Sequence, residues 1–203
     1  MILPPERLPE RDAAIDAMLP NVPFEGWSKR ALRMGLAAAG MPEDEAEILF
    51  PGGAADMIEV FCDLTDRRMT EAAAALTEPK LSDRVRAIIA LRLSMSRPHK
   101  EAVRRALSVL ALPRNAGAAA AITARTVDAI WHAAGDRSAD FSWYTKRAIL
   151  TAVYTSTLLY WLRDPSEDEA DTRAFIDRRL RGVGRMGRLR GRLGSLVGRL
   201  RPA

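Results

Sequence analysis

Cysteine and histidine are nearly missing from this chain. Among its 203 residues, Cys62 is the one cysteine and His99 and His132 are the only histidines. A single thiol excludes an internal disulfide, and these three side chains are too few for a Cys/His metal site. Long apolar runs are missing too. The longest uncharged stretch, Ala148 to Leu162, has 15 residues, four of them Ser or Thr, short of the roughly 20 needed to span a bilayer. The opening MILPPERLPERD has no basic n-region or apolar h-region and is too acidic for a transit peptide. No Asn-Gly or Asp-Gly hairpin signal, glycine-rich phosphate loop or H-E-x-x-H occurs. These absences lead to the expectation of a soluble, intracellular, all-helical chain with no cofactor and no metal. At this length a single domain is the default, with a core large enough to be stable unaided.

What charge there is lies unevenly. The formal net charge is +5. Residues 178–203 hold nine Arg and no acid, whereas residues 1–177 carry 22 basic and 26 acidic side chains, a net of −4. The basic character belongs to the tail, which argues against an all-over nucleic-acid-binding surface.

Apolar residues recur at helical spacing throughout. One helix covers Glu10 to Leu19. A second follows Ser28 with Ala31, Leu32, Gly35 and Ala38 on one face and stops at Gly40-Met41-Pro42, and a short third runs from Glu43 to Leu49. A long fourth has the stripe Met57, Phe61, Leu64, Ala72, Leu76. Ser82 is expected to cap a fifth that buries Val85, Ile88, Leu91 and Met95. Pro98 opens a sixth, and small residues fill a seventh from Ala116 to Ala134. The eighth begins near Asp140, and its later half, apolar all round, is expected to be buried. Ser166-Glu167-Asp168-Glu169 reads as a capping box opening a ninth. The organisation expected is residues 1–77, a helix-turn-helix-like region with its connecting helix; 78–181, a helical ligand- and partner-binding region; and 182–203, a basic amphipathic helix.

The first four helices resemble the N-terminal part of TetR-type regulators: in Trp27-Ser28-Lys29-Arg30 to Phe50, an Ala-Gly turn precedes a short helix ending in an aromatic. The charge is wrong for DNA. The short helix carries Glu43, Asp44, Glu45 and Glu47 and no base, and residues 1–60 hold eleven acids against five bases. Phosphate contacts from Lys and Arg supply most of a DNA-binding protein's affinity.

In the tail, Met186, Leu189, Leu193, Leu196, Val197 and Leu200 fall within about 100° of one another on a helix. Arg185, Arg188, Arg192 and Arg199 flank one side of that stripe, Arg190 and Arg201 the other. An apolar wedge bordered by guanidinium groups suits a helix lying in a membrane interface. Six glycines between Gly182 and Gly198, each costing about 1 kcal/mol relative to alanine, work against the helix forming alone in water. Anionic lipid, worth about 1 kcal/mol per nearby cation, would induce it. The other readings are a basic tail without fixed structure and a helix that docks on an acidic partner.

The run Trp131-His-Ala-Ala-Gly-Asp136-Arg-Ser-Ala-Asp140-Phe-Ser-Trp143-Tyr144-Thr-Lys-Arg147 strongly resembles the ubiquinone-biosynthesis accessory family called Coq nine, and the similarity extends from Gly26-Trp27 to about Arg181. The resemblance implies a TetR-like all-α fold of about nine helices that has lost DNA binding and forms a homodimer. It implies an apolar site for an isoprenoid quinone intermediate or other lipid, enclosed between about Val85 and Leu162, with Arg147 at the head group. It also implies a membrane-docking last helix and a surface patch of Asp136, Asp140, Trp143 and Tyr144 that engages the demethoxyubiquinone hydroxylase or an equivalent. Such a protein is a lipid-binding accessory, not an enzyme, and sits on the inner face of the cytoplasmic membrane (the matrix face in mitochondria). On the residues alone, Trp143 and Tyr144 better suit the buried start of a helix, and Arg147 also suits a surface ion pair. The alternative function is a TetR-type transcription regulator with a small-molecule pocket. A basic, phosphate-facing surface on residues 28–50 would favour it.

Overall fold

The computed structural model describes residues 3–136 and 142–182, with backbone alone at 142 and 143. Every regular element among the described residues is helical. Their order is α1 Pro9–Met18, α2 Val22–Glu25, α3 Lys29–Ala38, α4 Glu45–Leu49, α5 Gly53–Ala73, α6 Leu81–Met95, α7 Lys100–Leu110, α8 Ala116–Ala133 and α9 Ser142–Trp161, followed by α10 over residues 170–182. The chain divides into two compact units, Met1–Ser138 and Ala139–Ala203.

In the first unit, α5 is the central column. It packs most extensively on α8, and α1 and α6 also lie against it. Helix α1 and the segment before it are paired to α5: Arg7, ahead of the helix, to Asp63 and Asp12 to Arg67 at 2.7 Å, Asp16 to Arg68 at 2.6 Å, and Arg11 to Asp56. Ser28 caps α3, its hydroxyl accepting the Ala31 N–H at 3.1 Å. Trp27 is buried, and its indole donates to the Ala102 carbonyl at 2.9 Å while its ring meets Phe61 at 5.3 Å, tying α7 to α5.

Several sequence expectations shift here, for identifiable reasons. The short α2 was not foreseen; it carries Pro23 in its first turn, where a proline loses no hydrogen bond. Ala38 of α3 is exposed, and Leu36 is buried instead. On α5, Ala72 is exposed and Leu76 lies past the helix end, while Met69 and Ala73 are buried. The buried Asp66 lies on that same face, at i−3 and i−7, so a count of apolar residues alone misplaces it. On α6, Ile89 and Leu93 replace Leu91 and Met95 beside the buried Arg92. Ser82 does not cap α6. Lys80 occupies the cap in extended conformation, and its carbonyl accepts the N–H groups of Asp83 and Arg84 at 3.0 Å.

The second unit is built on α9 and α10. Tyr160 and Phe175 stack at 4.4 Å between centroids. The capping box is absent. Glu169 instead accepts the indole N–H of the fully buried Trp161 at 2.6 Å, and Asp168 and Glu169 both adopt left-handed backbone, φ 52° and 59°. The cap is shared: the Ser166 hydroxyl accepts the Asp171 N–H at 3.1 Å, and the Asp164 carboxylate accepts the Ser166 and Thr172 N–H groups at 2.8 Å and both hydroxyls. Desolvation works against ionising Asp164, but these hydrogen bonds outweigh it and hold the carboxyl at about 2. A depressed folded value means the cap's contribution is present above the ordinary aspartate range and is lost as pH falls from about 4 to about 2. Amide exchange checks this: after correction for intrinsic rates, Thr172 protection should fall across that window in the wild type. In Asp164→Ala it should be low and flat.

Candidate functional site

Helix α8 ends in a glycine-terminated turn that explains half of the central motif. The Asp136 N–H donates to the Trp131 carbonyl at 3.1 Å and the Gly135 N–H to that of His132 at 2.9 Å. Gly135 takes φ +80°, where an L side chain is strained, and the nearest atom to a Cβ built there is 3.8 Å away. Glycine is therefore required by the backbone and not by crowding. Asp136 follows directly, half-exposed. The same pair of bonds closes α3 at Gly40, with φ +70° and Met41 N–H on the Leu36 carbonyl at 2.9 Å.

Asp140 lies outside the described residues, as do the tail positions from Arg185 to Leu200. The backbone of Trp143 forms the second residue of α9. Tyr144 follows it and is 71% exposed, which excludes the buried reading for this member of the pair. Arg147 is half-buried and one turn further on, so Tyr144 and Arg147 share a flank of α9.

Beyond Arg147 the helix carries no charge as far as Trp161. Its inner face buries Leu150, Val153, Tyr154, Thr157 and Trp161. All-round burial, the expectation from composition, is not what is found. Ala148 and Ala152 are exposed, Leu159 is 58% exposed and Ile149 37%, and with Tyr144 they form one outward stripe. The hydroxyls along this stretch do not make it polar. Thr151, Thr155, Ser156 and Thr157 each donate to the carbonyl four residues back, at 2.7 to 2.9 Å. Their protons are spent on the backbone, and methyl or methylene groups face outward. Periodicity misses such a surface because an apolar residue turned outward has the same sequence signature as one turned in.

Elsewhere the chemistry is muted. Desolvation pushes the Cys62 thiol up to about 11, so it holds almost no thiolate at neutral pH. No cluster among the described residues has the side chains to hold a metal ion. None of the described helices is long and apolar enough to cross a membrane. In the helix-turn-helix region every base between residues 28 and 50 has an acidic partner. Arg33 and Lys29 pair with Glu47 at 2.6 and 3.5 Å, and Arg30 with Glu25 at 3.3 Å.

The architecture defines a TetR-like all-helical protein. It superposes on the crystal structure of the TetR transcriptional regulator from Nitrosomonas europaea with a TM-score of 0.67, covering 85% of this chain and 97% of that one, at 24% identity. That degree of similarity establishes the fold alone. Residues 116–187, which contain the turn and the whole of α9, match the COQ9 family model. The chain is 36% identical over 189 residues to the mitochondrial ubiquinone biosynthesis protein COQ9-A of Xenopus laevis, covering 85% of this chain and 57% of that protein. With the human COQ9 ubiquinone biosynthesis protein it shares 33% identity over 182 residues, again 85% and 57%. Most of the chain is thus similar to COQ9 ubiquinone biosynthesis proteins. It spans somewhat more than half the length of these curated relatives.

Proposed function

We propose that this chain is a peripheral, lipid-binding accessory protein of ubiquinone biosynthesis, which takes an isoprenoid quinone intermediate from the bilayer and presents it to a hydroxylase. The observation that carries the reading is the uncharged outward stripe of α9, with Leu159 and Tyr144 on it, within the segment that matches the family model. A face of that kind suits contact with lipid or an apolar partner surface better than contact with water. Tyr144, with Trp143, Asp136 and Asp140, is assigned to the hydroxylase contact, and Arg147 to the lipid head group, where a guanidinium fork suits phosphate. The active form is a homodimer on the inner face of the cytoplasmic membrane, or on the matrix face in mitochondria.

The mechanism is access, not bond chemistry. At about 0.8 kcal/mol per buried CH2, exposing a five-carbon isoprene unit to water costs about 4 kcal/mol, so a polyprenyl chain does not leave the bilayer unaided. A protein groove lying against the membrane lowers that barrier. The chain supplies shelter and orientation while the hydroxylase supplies the reaction. The tail, with Met186, Leu189, Leu193, Leu196, Val197 and Leu200 as its apolar wedge, is assigned to docking on anionic lipid.

The regulator reading required a basic face on residues 28–50, and the pairing of Lys29, Arg30 and Arg33 with Glu47 and Glu25 gives it no support. A vesicle experiment tests the docking step. The full chain should co-sediment with phosphatidylserine-containing vesicles and release as salt is raised, and a variant lacking residues 183–203 should stay in the supernatant. Equal binding by the two forms would remove the membrane role of the tail.

A further inference from the structure

A cleft of about 230 Å³ opens in the first unit, well away in sequence from the α9 stripe and the tail. Its floor is apolar: Leu19 at the end of α1, Phe61 and Leu64 of α5, and Met95 of α6. Its rim is polar, formed by Asp16, Arg68 and His99. The volume is below that of a drug-sized site and suits a single ring with a short substituent; it has no room for a polyprenyl chain. Phe61 and Met95 on the floor favour an aromatic ring, through edge and sulfur contacts.

The rim decides the charge of what fits. Arg68 and Asp16 are joined by two parallel hydrogen bonds of 2.9 and 2.6 Å, so the fork and the carboxylate satisfy each other and the pair is neutral overall. Thr65 and Ser96 also line the cleft, but their hydroxyl protons go to the Phe61 and Arg92 carbonyls of their own helices. The His99 ring remains. It forms no hydrogen bond among the described residues, and it stands half-buried at the mouth. Burial keeps the imidazole below its ordinary range, against the pull of Asp16, so at neutral pH it offers one donor and one acceptor without charge. A ring edge open at the mouth can take a ligand hydroxyl or carbonyl in place of water.

We propose that this cleft binds a small uncharged amphipathic molecule, an aromatic ring on the apolar floor with one hydroxyl or carbonyl facing His99. Anions are disfavoured because Asp16 already occupies Arg68, and saturated hydrocarbons because they leave His99 unmatched.

Phenol, toluene and benzoate are the probes, titrated into the full chain while the histidine ring signals are followed by NMR. With two histidines in the chain, a His99→Leu variant assigns the signals outright. The expected result is that phenol shifts the His99 signals and leaves those of His132 unmoved, with toluene at least roughly fivefold weaker and benzoate without effect. In His99→Leu, followed through the methyl signal of Met95 on the cleft floor, the preference for phenol over toluene should vanish while toluene affinity persists. Met95→Trp, which fills the floor, should abolish both. Phenol leaving the His99 signals unmoved in the wild type would overturn the site whatever Met95→Trp does to the fold. Benzoate binding as tightly as phenol would overturn the ligand class.

Discussion

Replacing Asp66 by alanine should lower the stability of the first unit by about 3–5 kcal/mol, read as a shift in the urea midpoint at unchanged slope. Asp66 and Arg92 are each 6% exposed, and they meet at 2.7 Å between α5 and α6. Thr126 of α8 donates its hydroxyl proton to the other Asp66 oxygen at 2.8 Å, so one carboxylate joins three helices. Without it the Arg92 guanidinium keeps its place in the interior but loses this counter-charge, and a buried charge stripped of its partner is far more costly than a buried pair. The pair itself adds little. Burial raises the Asp66 carboxyl above the ordinary aspartate range even though Arg92 and Thr126 pull it down. Replacing both partners by apolar residues, as in Asp66→Leu with Arg92→Met, should therefore recover most of the loss. A double variant no more stable than Asp66→Ala would mean that the pair contributes through more than mutual neutralisation.

Gly35→Ala is the second large effect, and two physical arguments give it opposite signs. Helix propensity favours alanine by about 1 kcal/mol inside a helix. Packing opposes it. A Cβ on Gly35 would stand 2.7 Å from the Ala17 carbonyl carbon and oxygen and from the Met18 Cα, all of them main-chain atoms of α1. Helix α1 cannot easily retreat, because Ala14, Ile15 and Met18 are fully buried and Arg11 and Asp12 are paired to α5 beside them. The overpacking cost of about 1–3 kcal/mol or more should win, giving a net loss of stability. Gly117 of α8, where a Cβ would meet nothing within 4 Å, is the control: alanine there should be neutral or stabilising by up to about 1 kcal/mol. Thermal unfolding followed by circular dichroism distinguishes the two cases. Stabilisation by both substitutions would show that α1 and α3 are not held as closely as Gly35 indicates.

How much of this was legible depended on the range of the interaction. Gly40 and Gly135 end helices through bonds to carbonyls within five residues, and both turns could be read from the chain. The acids from Glu43 to Glu47, on and before α4, were equally plain, although the pairing of Glu47 with Lys29 and Arg33 was not. The Asp66, Arg92 and Thr126 cluster joins residues 26 to 60 positions apart, and nothing local announces it. Asp66 and Arg92 occupy buried positions on α5 and α6 that a count of apolar residues passes over. Ser166 to Glu169 departed in the opposite way: the Ser166 hydroxyl does cap an amide, that of Asp171, but Trp161 took Glu169 and Asp164 took the Thr172 amide. As for the candidate site, Tyr144 and Arg147 were singled out by resemblance. The outward stripe running from Tyr144 to Leu159 emerged only when the helix had neighbours.

The central claim is that this protein shelters an isoprenoid lipid. Its most direct test is native purification without detergent, solvent extraction, and mass spectrometry of the extract against a mock purification. The account predicts an isoprenoid quinone or a quinone precursor recovered with the protein at a substantial fraction of one per chain. A folded protein that yields no lipid above the mock background, and takes none up from quinone-loaded vesicles, would contradict it.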